Sequence, residues 1–127
     1  MKILGLSAFY HDSAACLLAD GALLSAVQEE RLSRIKHDRR FPILAAAHCL
    51  ASAGLTILDI DCVAWYELPE RRLSRQLWLR RGAGPRRDAN LTSLDPYRPE
   101  RVIREALGFE GPIFYACLLY TSDAADE

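Results

Sequence analysis

The sequence lacks the features that mark membrane and secreted proteins. No stretch reaches the roughly 18 to 20 uninterrupted apolar residues that a transmembrane helix needs. Met1-Lys2 runs directly into the apolar residues 3–6, without the basic start, apolar run and small-residue cleavage site of a secretory signal. We therefore expect a cytoplasmic protein with no membrane partner.

Cysteine is sparse and has no paired spacing. The absence of any C-x-x-C pattern argues against a zinc ribbon or a redox pair. Isolated cysteines in an apolar context are usually buried free thiols, and we expect that here. The four are Cys16, Cys49, Cys62 and Cys117.

The remaining composition is that of one folded domain. The chain has 127 residues, of which 50% are hydrophobic and 26% are charged. The formal charge of -1 hides an uneven distribution, because seven arginines lie between Glu70 and Asp88. This basic stretch, residues 71–87, is either a nucleic-acid patch or one face of an amphipathic surface helix.

The hydrophobic pattern predicts an α/β fold with the order β-β-β-α-β-α-α-β. Asp20-Gly21 between two apolar runs predicts a hairpin, and the helix after Pro42 should bury a face made by Ile43, Ala46, Ala47 and Leu50. Charged residues 28–40 should end the third strand and form a loop. The predicted strands are residues 2–8, 14–19, 22–27, 60–66 and 112–116, and the predicted helices are 42–53, 69–81 and 96–107. This is the order of the first part of a ribonuclease H-like domain, the fold of actin, sugar kinases and heat-shock ATPases, left incomplete.

Residues 117–127 do not continue this pattern. The strand at 112–116 should lead into a loop and further elements, but the chain ends with CLLYTSDAADE. This ending resembles the conceptual translation of a transposase adapter used in sequencing-library preparation. We therefore expect residues 1–116 to be a truncated native domain and 117–127 to be non-native, the alternative being an ordinary polar tail.

Two segments hold the side chains best suited to chemistry. The first is FYHDSAA at residues 9–15, where a carboxylate beside an imidazole can orient a hydroxyl group or remove its proton. The second is QEERLSRIKHDRRFP at residues 28–42, whose cations suit a phosphate or an adenylate. In both segments the chain resembles the O-carbamoyltransferases that act on nodulation factors and antibiotics. The resemblance covers residues 1–116.

This resemblance implies a two-step reaction. Members of the family form carbamoyl-adenylate from carbamoyl phosphate and ATP in a separate C-terminal domain. They then transfer the carbamoyl group to a hydroxyl of a small-molecule or sugar acceptor in the N-terminal domain, which holds an iron ion. The isolated chain lacks the adenylate-forming domain, so we expect it to be inactive.

The chemistry of these segments singles out particular residues, and the resemblance strengthens Asp12, Lys36 and His37 among them. Asp12 is the first candidate for contact with the acceptor, His11 is a second catalytic candidate, and the substrate- or adenylate-binding candidates are Lys36, His37 and Arg39. Each has a structural alternative. Asp12 could tie down its own turn, the cations could be a solvated run, and residues 29–31 could form ion pairs that shape the loop. Because neighbours on a strand point to opposite faces, His11 and Asp12 need not share one site.

The family's iron site depends on a His-x-x-x-His pair, which should begin just beyond Ala116. The spacing of His11, His37 and His48 offers no such pair, so we expect no metal site in this chain.

Three other functions compete with this one. A relative of the tRNA threonylcarbamoyl-transferases would share the fold but lack the Lys36-His37-Asp38 block, and a sugar kinase or heat-shock ATPase would need a glycine-rich first loop. A nucleic-acid binder would use residues 71–87. We expect a small-molecule hydroxyl acceptor and carbamoyl phosphate as the partners, and no nucleic acid.

Overall fold

The computed structural model describes residues 1–82 and 95–116. In this part of the chain five strands and three helices follow one another in the predicted order, and one short helix is added, which makes four helices. The elements are β1 (Lys2–Ser7), β2 (Ala14–Ala19), β3 (Ala22–Gln28), α1 (Glu29–Ser33), α2 (Ile43–Ser52), β4 (Cys62–Trp65), α3 (Pro69–Gly82), α4 (Arg98–Leu107) and β5 (Ile113–Tyr115), with a 3-10 turn at Ile57–Asp59 before β4.

The added helix α1 corrects the prediction of a strand end and a loop at residues 29–33. Leu32 packs against the core, and Glu29 is buried although it is charged. The helix ends at Arg34, whose left-handed φ of 62° lets its N–H bond the Glu30 carbonyl. A single turn with one apolar anchor has too little periodicity to be read from sequence.

The strands form one sheet in the order β3-β2-β1-β4-β5. β1 pairs antiparallel with β2 and β2 antiparallel with β3, whereas β4 runs parallel to both β1 and β5. The predicted hairpin is confirmed: Ala19 pairs with Ala22, and both turn residues, Asp20 and Gly21, have positive φ. That backbone matches the type I′ turn whose twist suits a two-residue hairpin.

The core lies between one face of the sheet and α2, with α4 contributing Ile103. Its largest side chain is Trp65, which is fully buried with Leu4, Leu17 and Val63. The predicted face of α2 was half right. Ala46 and Leu50 are buried, but Ala45 and Cys49 replace Ile43 and Ala47, which are exposed.

The buried face of α2 was predicted only in part because apolar residues surround almost the whole helix, so the spacing of apolar residues does not select one face. The small Ala45, Ala46 and Cys49 let the helix approach the sheet closely.

Cys49 and Cys62 are buried free thiols as predicted, and Cys16 is half-buried on β2. None of the helices within residues 1–82 and 95–116 has the length and apolar character to cross a membrane. The predicted non-native ending at 117–127 lies outside the described residues, as does part of the basic stretch.

Candidate functional site

Two loops meet at one edge of the sheet. β1 and β3 are both antiparallel to β2, so their carboxyl ends lie at the same edge. The loop of residues 8–13 follows β1, and α1 with the loop of residues 34–42 follows β3. The topology therefore brings together the two segments that carry the candidate residues.

Backbone hydrogen bonds hold the loops against each other. The N–H of Phe9 donates to the carbonyl of Arg39 at 2.8 Å, and the N–H of Ser13 donates to the carbonyl of Asp38 at 2.8 Å. The fully buried Ser13 hydroxyl also donates to the carbonyl of Arg40. Residues 38–40 are thus fixed beside the first loop, and His37 is carried to Asp12.

A buried carboxylate shapes the second loop from within. The side chain of Asp38 accepts hydrogen bonds from Arg40 Nε at 3.0 Å, Arg40 Nη2 at 2.8 Å and the Arg40 backbone N–H at 3.1 Å. These bonds from Arg40, with one from Ser33, hold the pKa of Asp38 well below its usual range. The ion pair is therefore intact across the neutral range and keeps residues 38–40 in a tight turn.

The two glutamates of α1 also shape the site, by accepting hydrogen bonds from backbone N–H groups. The carboxylate of Glu29 accepts hydrogen bonds from the N–H groups of Leu44 at 3.2 Å and Ala45 at 2.7 Å. These N–H groups lie in the first turn of α2, where a helix has no acceptor of its own for them. The carboxylate of Glu30 accepts from the N–H of His37 at 2.8 Å.

At the centre of the site a carboxylate lies between two imidazoles. Asp12 Oδ1 is 3.0 Å from His37 Nδ1, and Asp12 Oδ2 is 3.4 Å from His11 Nδ1. The two rings are edge to face with centroids 6.1 Å apart. The hydrogen bond from His37 is the main cause that lowers the pKa of Asp12, so the carboxyl group is ionised at neutral pH.

An open groove of about 460 Å³ adjoins this group and is lined by Tyr10, His11, Lys36, His37 and Arg39. The Asp12 side chain is only 24% exposed, whereas those of His11 and His37 are 76% and 62% exposed. The imidazoles and the cations are therefore more accessible to a ligand in the groove than the carboxylate is.

Backbone strain is concentrated here. Among the described residues four non-glycine residues have positive φ, and three of them lie in the two loops: Phe9 at 74°, Arg34 at 62° and His37 at 55°. Such conformations cost roughly 1 to 3 kcal/mol each and persist only where the surroundings enforce them.

The side of the site next to β4 is closed by a buried ion pair. Arg72 of α3 donates to Glu67 at 2.9 Å, and both side chains are mostly buried. Arg98 stacks over the ring of Phe9 with its guanidinium carbon 4.0 Å from the centroid, and Tyr66 donates to the Ala8 carbonyl at 2.9 Å. The start of α3 and of α4 thus both support the loop that bears Asp12.

All five residues singled out from the sequence meet at this site. The expectation that His11 and Asp12 need not share a site is corrected, because residues 9–13 leave β1 through the left-handed Phe9 instead of continuing a strand. Sequence reasoning did not find the part played by Ser13, Glu30 or the Asp38–Arg40 pair. All of them except Ser13 lie in the second motif, but a motif does not reveal which side chain bonds which backbone group.

Comparison with known proteins identifies the family of this chain. Residues 2–97 match the family model of the carbamoyltransferase N-terminus. The chain belongs to the carbamoyltransferase family. It is 51% identical over 67 residues to an uncharacterized protein, sll1178, of Synechocystis sp., a match covering 53% of this chain and 11% of that protein. It is also 50% identical over 58 residues to the nodulation protein NolNO of Sinorhizobium fredii, covering 46% and 8%. This carbamoyltransferase chain thus matches about a tenth of the length of these two relatives.

Among solved structures, YeaZ from Pseudomonas aeruginosa superimposes with a TM-score of 0.51 over 99% of this chain and 49% of its own, at 14% identity. This likeness shows the fold alone, which is the predicted α/β, ribonuclease H-like one in partial form.

Three side chains could in principle share a cation. The donor atoms of Asp12, Glu30 and His37 lie within 4.8 Å of one another. This set of two carboxylates and one imidazole is not the His-x-x-x-His pair that the family resemblance implies for iron, and its members already bond one another and the His37 backbone. The residues within 1–82 and 95–116 therefore do not fit that iron site, and we derive no step through a metal.

Proposed function

We propose that this chain forms the acceptor side of a carbamoyltransferase that moves a carbamoyl group from carbamoyl phosphate, through carbamoyl-adenylate made with ATP, to a hydroxyl of a small-molecule or sugar acceptor. The observation that carries the proposal is the ionised Asp12 held between two imidazoles at the rim of a groove that also bears Lys36 and Arg39. Carbamoyl transfer to a hydroxyl needs a group that accepts its proton and cations that neutralise the departing phosphate. Both are within reach of one groove.

The cations of the groove and the groups that could transfer a proton have different roles. Lys36 and Arg39 project from the loop into the groove, whereas Arg40 is occupied by Asp38. An adenylate phosphate bound by Lys36 and Arg39 would place its attached carbamoyl group near the imidazoles of His11 and His37. We assign Lys36, His37 and Arg39 to the adenylate, and Asp12 and His11 with His37 to the acceptor hydroxyl.

Adenosine monophosphate is a suitable probe of the phosphate subsite. We expect its titration into the chain to shift the amide NMR signals of residues 36–39 in a saturable way. The K36A/R39A double variant should bind at least about tenfold more weakly, since each charge-assisted hydrogen bond contributes roughly 1.5–3 kcal/mol. R75Q, which removes an exposed arginine on α3, should bind like the wild type. Equal affinity of the double variant and the wild type would contradict the assignment.

Activity tests address the reaction itself. The 127-residue chain should not transfer carbamoyl groups from carbamoyl phosphate and ATP, and turnover by this chain alone would overturn that expectation. The complete transferase should require both co-substrates and a hydroxyl acceptor.

Nucleic-acid binding through the basic stretch is less well supported than carbamoyl transfer, because Arg72 forms a buried ion pair with Glu67. We expect weak retention of the chain on immobilised nucleic acid. Strong retention that falls steeply with salt would favour a nucleic-acid binder instead.

A further inference from the structure

The imidazole of His37 is held more firmly than that of His11. Its backbone N–H donates to Glu30 Oε2 at 2.8 Å, and its Nδ1 lies 3.0 Å from Asp12 Oδ1. The next residue, Asp38, is fixed through its carbonyl to Ser13. His37 also holds a left-handed φ of 55°, a strained conformation that these contacts enforce.

His11 is held differently. It contacts the same carboxylate at the longer distance of 3.4 Å, and its side chain is 76% exposed. Phe9, two positions before His11, is anchored by a backbone hydrogen bond and by the stacked guanidinium of Arg98. Among the described residues the backbone of His11 forms no comparable hydrogen bond. Of the two imidazoles, His37 has the geometry of a preorganised base.

Asp12 is placed to orient a base instead of acting as one. Both of its oxygens face imidazole nitrogens, and its side chain is only 24% exposed. An ionised carboxylate can only accept hydrogen bonds, so His37 must donate from Nδ1. The proton on Nδ1 leaves Nε2 with the lone pair, as in other sites where a carboxylate fixes the tautomer of a catalytic histidine.

We propose that His37 is the catalytic residue that accepts the proton of the acceptor hydroxyl on Nε2, and that Asp12 is its positioning residue. This rests on the proposed carbamoyl transfer and revises the division of roles within it.

In this step the hydroxyl O–H bond breaks and its proton passes to His37 Nε2. The oxygen forms a bond to the carbamoyl carbon, and the bond from that carbon to the phosphate oxygen breaks. The electron pair of the broken bond leaves with the adenylate, and the imidazolium then returns its proton to water.

The tautomer can be measured without any activity. Two-bond proton–nitrogen NMR correlation in the 127-residue chain distinguishes the two imidazole nitrogens, and the chain has three histidines, with His48 on α2 as an internal reference. At a pH where His37 is neutral we expect its proton on Nδ1. The D12A variant should lose this preference, whereas D20N, which alters a distant carboxylate at the hairpin, should keep it. A wild-type His37 protonated on Nε2 would overturn the proposal, as would a D12A spectrum identical to wild type.

Kinetics in the complete transferase separate the two imidazoles. We expect H37Q to lower kcat by roughly 100-fold or more, the usual contribution of general base catalysis, with little change in KM for the acceptor. H11Q should lower it by less than about tenfold, and the exposed H48Q should match wild type. Equal losses in H37Q and H11Q, or a larger loss in H11Q, would contradict the assignment.

The tautomer measurement distinguishes a failure of this assignment from a failure of the proposed function. If the complete protein transfers no carbamoyl group, the proposed function is wrong even where the tautomer is as expected. If it does transfer the group but His37 carries its proton on Nε2, only the assignment of the base is wrong.

Discussion

The carboxylate of Glu29 offers the sharpest test of how the site is built, because it caps a helix from which it is separated in sequence. Helix α2 begins after Pro42, which has no side-chain hydrogen bond to offer as a cap. Glu29 is 3% exposed and supplies both acceptors, to the N–H groups of Leu44 and Ala45. The perturbation is E29Q, which keeps the shape of the side chain but removes its charge and one acceptor.

The expected cost follows from these contacts. The glutamine carbonyl can still accept one of the two N–H groups, but its NH₂ group faces the other donor, which is left without a partner. Losing one charge-assisted hydrogen bond costs roughly 1.5–3 kcal/mol. The lost attraction to the helix N-terminus adds about 0.5 kcal/mol. Relief of the desolvation of a buried charge offsets part of this. We expect E29Q to lower the free energy of unfolding by about 2 kcal/mol.

The assay is urea unfolding followed by circular dichroism, with E105Q on the exposed face of α4 as the matched control. About 2 kcal/mol is a large part of the 5–15 kcal/mol typical of small domains, so the midpoint should fall clearly while the slope stays unchanged. An E29Q midpoint indistinguishable from that of E105Q would refute the capping argument. It would mean that the two N–H groups of α2 are satisfied otherwise.

Two further predictions concern packing and acid stability. A Cβ at Gly5 would lie 2.6 Å from the Sγ of Cys16 on the neighbouring strand, so G5A should destabilise the fold by about 1–3 kcal/mol. In the double variant G5A/C16A most of this cost should vanish. Additive losses in a double-mutant cycle would contradict the clash. The pKa of Asp38 is lowered in the fold by its bonds from Arg40, so its contribution to stability is complete above the ordinary pKa of 3.8 and is lost as the pH falls through the lower folded value. D38N should therefore show a shallower loss of stability below about pH 4 than the wild type, and parallel curves would contradict the ion pair.

Periodicity and turn chemistry were sufficient to predict most elements of the fold. The apolar runs and the Asp20-Gly21 turn predicted three successive strands at the start of the chain, and the structure confirms them with antiparallel pairing. The buried face of α2 could not be predicted, because apolar residues surround that helix and only docking against the sheet selects Ala45 and Cys49. The helix α1 was missed because five residues with one apolar anchor carry no usable period.

The sequence by itself determined which residue types are available for chemistry: an aspartate between a histidine and a serine in one loop, and a lysine, a histidine and an arginine in another. Their family motif could be recognised because these residues are close together in the chain. Only the tertiary structure decided that the two loops meet, because β1 and β3 end at the same sheet edge. It also decided which nitrogen faces Asp12. That depends on backbone bonds from Phe9 and Ser13 that span up to 30 residues, and on the bond from the His37 N–H to the Glu30 carboxylate. Packing determines which residues distant in sequence form hydrogen bonds, and a local sequence pattern cannot predict these partners.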